Sequence, residues 1–218
     1  MVFGAISSFV SSGFSAVCSA VSSAVSSISS FAMTYGPKIG EALGKISPVF
    51  QAIAQALGLI KPKENIEEIG DRAIQAGEAG IQLENYSKFD DYMTAIREFK
   101  LDPEKSKTIS EASKTLAGIG IAGKGLEEKL NLPVDSSGIL TLMIASNASF
   151  FNSDRVLTWL QSGQIPAILE YFDAKSSMGL KKQGDVLDAM IQLEKQQDPS
   201  KTERTIYDEI TEAKSNIS

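Results

Sequence analysis

Histidine is absent from the 218 residues, and cysteine and tryptophan occur once each, as Cys18 and Trp159. Without histidine the chain lacks the commonest metal ligand and the side chain best suited to moving protons near neutral pH. Ser-His-Asp and Cys-His machinery is excluded. A single cysteine forms no internal disulfide, which excludes a disulfide framework. Charge is scarce in one place: the first sixty residues hold only Lys38, Glu41 and Lys45, whereas the rest carry nineteen positive and twenty-six negative side chains. The net charge of −6 disfavours attraction to phosphate backbones, so nucleic-acid binding is not expected. No cofactor or metal is implied, and the composition favours a non-enzymatic protein.

What the first sixty residues do contain is serine and spaced apolar side chains. Serine fills twelve of residues 1 to 30, mostly in pairs. Phe3, Ile6, Val10, Phe14, Val17, Val21, Val25 and Ile28 follow at spacings of 3, 4, 4, 3, 4, 4 and 3, a helical stripe with an eleven-residue repeat. That period averages about 3.67 residues per turn, so a bundle built on it is straight or slightly right-handed. Serine and valine are mediocre helix formers, and a helix of residues 2 to 33 needs something to pack against. Gly4, Ser8, Ser12 and Ser15, then Ser19, Ser22 and Ser26, are small enough to let helix backbones approach closely, as in membrane helix packing.

Gly36-Pro37 breaks this helix. A second apolar segment follows over residues 38 to 60, with Ile39, Leu43, Ile46, Phe50, Ile53, Leu57 and Ile60 in a heptad-like stripe that Pro48 is expected to kink. The two segments read as a helical hairpin covering residues 1 to 61. At about 1.5 Å per residue the first helix reaches roughly 45 Å, more than the ~30 Å hydrocarbon core. Its hydroxyls make it less apolar than a lipid anchor, so a self-associated or conditionally inserted homo-oligomer is favoured over stable insertion of one helix. No Lys or Arg precedes the stretch, so it does not read as a cleavable secretory signal.

Residues 62 to 218 read as a separate acidic helical domain, giving an all-α protein. Ile66, Ile69, Ala73, Ala76 and Ala79 mark one helix, stopped by Gly80. Ser87 to Asp90 is a capping-box-like start for the next, with Phe89, Tyr92, Met93, Ile96 and Phe99 inward. Asp102-Pro103-Glu104 and Asp198-Pro199-Ser200 are matched helix starts. Ser136 to Ser146 is an apolar run of either type. Further helices are expected from Ser153 to Gly163, from Pro166, and after Gly184.

Gly118 to Gly123 fits the dinucleotide-binding pattern, but no strand precedes it, which leaves close helix packing or a flexible turn. Asp90-Asp91 and Glu127-Glu128 are carboxylate pairs whose members point in different directions and read as solvated faces. Cys18 has no neighbouring base or cation and reads as a packing residue. Trp159 reads as core.

An uncharged Gly/Ala/Ser/Phe-rich helical segment ahead of a small acidic helical domain resembles the small membrane-targeting, pore-forming effectors of bacterial type VI secretion systems, mainly over residues 2 to 60. The resemblance implies delivery by a contractile machine into a competing bacterium and insertion into its inner membrane. It also implies ion leakage and a cognate immunity protein in the producer. Physically, several copies of such a helix can face lipid with Val, Ile and Phe and line an aqueous path with Ser19, Ser22, Ser23 and Ser26. The competing reading is a component of a phage tail or contractile particle, in which the same stripe packs as a multi-helix bundle.

Overall fold

Capping side chains fix where most of the helices begin. The computed structural model describes residues 42–133, 136–173 and 176–217, and among them there is no strand. Helix α1 covers residues 42–56. Asn65 accepts from the Glu68 N–H to start α2 (Ile66–Glu78), which ends at Ala79 before Gly80 turns the chain with φ +87. After a short 3-10 turn, α3 (Phe89–Glu98) and α4 (Pro103–Thr108) follow, the latter capped by Asp102 with Pro103 in its first turn. The long α5 (Glu111–Lys129) starts at Ser110, and α6 covers Ser136–Ser146. Asn152 caps α7 (Ser153–Gln161), and Gly163 at φ +73 redirects the chain into α8 (Ile165–Phe172). The chain closes with α9 (Leu180–Gln197) and α10 (Glu203–Ser215), the latter capped by Thr202.

The all-α expectation holds over these residues, with three local corrections and one open stretch resolved. The Asp198-Pro199-Ser200 start is a turn: Asp198 is the C-cap of α9, its carboxylate accepts from the Ser200 N–H and Oγ, and the helix begins only at Glu203. Helix α9 starts at Leu180, so Gly184 lies inside it. Ser87 does not cap α3; the Glu128 carboxylate of α5 accepts the Phe89 N–H instead, at 3.0 and 3.1 Å. The apolar run from Ser136 to Ser146 is helix.

Helix α5 is the axis of the body. It pairs most extensively with α2 and also meets α3 and α6; α6 leads to α8, and α7, α8 and α10 pack around α9. The glycine-rich stretch lies inside α5, which settles its reading as close packing. A methyl group on Gly118 would lie 1.9 Å from the Ile66 carbonyl oxygen, one on Gly70 1.8 Å from that of Lys114, and one on Gly125 2.6 Å from the Phe89 ring. Only glycine lets these backbones meet.

One hydrophobic core extends from Leu43 to Ile217. Trp159 is fully buried within it, as its amphipathic position suggests, with Phe151 packed edge-on and Phe172 stacked, both at 6.1 Å between ring centres. Leu43, Ile46, Val49, Phe50 and Ile53 of α1, with Leu59 and Ile60 after it, belong to the same core. Each such side chain contributes roughly 1.5–3 kcal/mol relative to exposure. The expected second arm of the hairpin is therefore packed, from residue 42 on, with the acidic helices. Helix α1 continues through Pro48, whose ring is exposed, and stops at residue 56, where Gly58 turns at φ +69.

Candidate functional site

The stripe Phe3, Ile6, Val10, Phe14, Val17, Val21, Val25 and Ile28, the candidate pore-lining Ser19, Ser22, Ser23 and Ser26, and Cys18 all lie outside the described residues. The pairing of residues 2 to 33 with residues 38 to 60 as a hairpin lies outside them too, because its first arm does. What the described residues show is how α1 is fastened to the helices that follow it.

The fastening centres on Glu64, between α1 and α2. Its carboxylate takes a two-pronged ion pair from Arg97 of α3, Nε at 2.8 Å and Nη2 at 2.9 Å, and accepts the Lys61 N–H at 2.7 Å. Arg97 Nη2 also donates to the Leu59 carbonyl at 3.3 Å. From α1, the Gln51 amide donates to the Glu64 carbonyl and accepts the Ile66 N–H, both at 2.8 Å, filling a vacant donor at the start of α2. Gln55 donates to the carbonyls of Pro62 and Glu64. Burial pushes the Glu64 carboxyl up, but the Arg97 and Lys61 bonds and charges outweigh it and hold the group below its ordinary range. The joint from Lys61 to Glu64 is thus clasped from both sides. Gln51 and Gln55, amides one turn apart among the apolar residues 49 to 60, are the signal that could have pointed to it.

Other buried charges join helices to one another. Arg155 of α7 binds Glu194 of α9 with two bonds of 2.6 Å, donates to the Phe150 carbonyl, and lies 3.5 Å from Glu209 of α10, which Lys201 also binds. No spacing in the chain announces a pair 39 residues apart. Glu127 is buried and accepts both the N–H (3.0 Å) and Oγ (2.6 Å) of Ser137, with Lys124 Nζ at 3.0 Å on its other oxygen. Its neighbour Glu128 caps α3. The two carboxylates do point apart and cap two different helices: Glu128 is exposed, as a solvated face requires, whereas Glu127 is buried, which corrects that reading for it. Gln75, buried beside Asp71, donates to Asp71 and Ser106 and accepts the Asp102 N–H, tying α4 to α2. Lys214 Nζ sits 3.7 Å over the Tyr171 ring; burial lowers the lysine pKa and raises that of the tyrosine.

Among the described residues no three or more Cys, Asp or Glu side chains are grouped to hold a metal, and no helix is long and apolar enough to cross a membrane. The large apolar side chains left exposed there are Leu180 and Tyr207. Comparison with known proteins finds no matching family model, curated protein or solved structure.

Proposed function

We propose that this protein is a membrane-inserting, ion-leak pore-forming antibacterial effector, delivered by a contractile secretion machine, whose membrane-active unit is the segment ahead of residue 42. One observation carries the reading: a charge-free stretch of about thirty residues presents an apolar stripe and a serine-rich remainder at helical spacing. A helix with both surfaces is at ease neither in lipid nor in water alone, and several copies resolve the conflict by turning serine toward a shared aqueous path. The burial of Leu43, Ile46, Phe50, Ile53 and Ile60 in the helical body supports a narrower unit than the whole hairpin, because that stripe already has a partner. In this reading the acidic body stays on the aqueous side and the protein works without a catalytic step. A homo-oligomer, the target bilayer, a cognate immunity protein and a component of the delivery machine are its partners.

The second reading, a particle component using residues 2 to 33 as a multi-helix bundle, is favoured by the contact of α2 with α5. There this chain packs helices backbone to backbone through small residues inside its own core.

Planar-bilayer conductance separates the two. Replacing Ser19, Ser22, Ser23 and Ser26 together by Leu raises membrane binding and blocks or narrows the path if serines line it. In a close-packed bundle the same four side chains disrupt assembly by overlap. Wild-type protein that never conducts, or undiminished single-channel conductance in the variant, sinks the serine-lined pore.

A further inference from the structure

We draw no further inference here: the strongest candidate, the exposed start of α9 where Leu180 stands beside Lys181 and Lys182, carries none, because Lys182 is already paired with Glu170 and nothing in the structure shows what covers the leucine.

Discussion

Gly118 and Ile66 meet backbone to backbone: the space for a methyl group on Gly118 is occupied by the Ile66 carbonyl oxygen, 1.9 Å from where its carbon would lie. The contact is reciprocal, because Gly70, one turn beyond Ile66, faces the carbonyl of Lys114, one turn before Gly118. Two helices that approach this closely gain dispersion and weak Cα–H···O contacts along their crossing. A Cβ at either position must push a backbone aside.

Gly118→Ala or Gly70→Ala should therefore cost about 3 kcal/mol or more, at the upper end of overpacking effects. Gly184→Ala, in open space on α9, should be neutral or stabilise by up to about 1 kcal/mol. Urea unfolding of the three variants checks the contrast. Equal, small effects at all three would mean that α2 and α5 are not this close.

How much of this was legible in the sequence depended on whether the deciding partner was near in the chain. Asp102 caps a helix within three residues, and local pattern finds that start; Asn65 and Ser110 cap by equally short bonds but were not singled out. Trp159 and the inner face of α3 are readable because helical period implies a buried side. The stretch from Gly118 to Gly123 left packing and turn open, since the choice rests on Ile66, far back in the chain. Glu127 was misread for the same reason, its partner Ser137 lying 10 residues away; Glu128 is exposed as expected, but its bond to Phe89, 39 residues away, was not legible. Asp198 misled because the Asp-Pro-Ser pattern that starts a helix also closes a turn onto Ser200. None of the candidate stripe or pore-lining residues lies within the described residues.

The Glu64 clasp makes a pH prediction. A carboxyl held below its ordinary value of 4.5 contributes stability that is fully present above that pH and is lost as pH falls through its folded value. Glu64→Gln removes this contribution, so the variant should be less stable than wild type at neutral pH, with the difference shrinking below about pH 4.5. Thermal melts from pH 7 to acid check it. A difference that grows on acidification would contradict the clasp.

The burial of α1 makes a prediction about truncation. A chain beginning at residue 42 should melt cooperatively, whereas one beginning at residue 62 loses Phe50, Ile53, Ile60 and the Gln51 bond to Ile66, and exposes the core they cover. Circular dichroism melts of the two chains decide this. A residue-62 chain as stable as the residue-42 chain would show that α1 is an accessory to the core.

The central claim, that membrane activity resides ahead of residue 42, is tested most directly by dye release from liposomes with the full chain and with the chain beginning at residue 42, at matched concentrations. The account predicts release by the full chain and none by the shortened one, which keeps its cooperative melt. Equal release by both chains, or no release by the full chain, would contradict it.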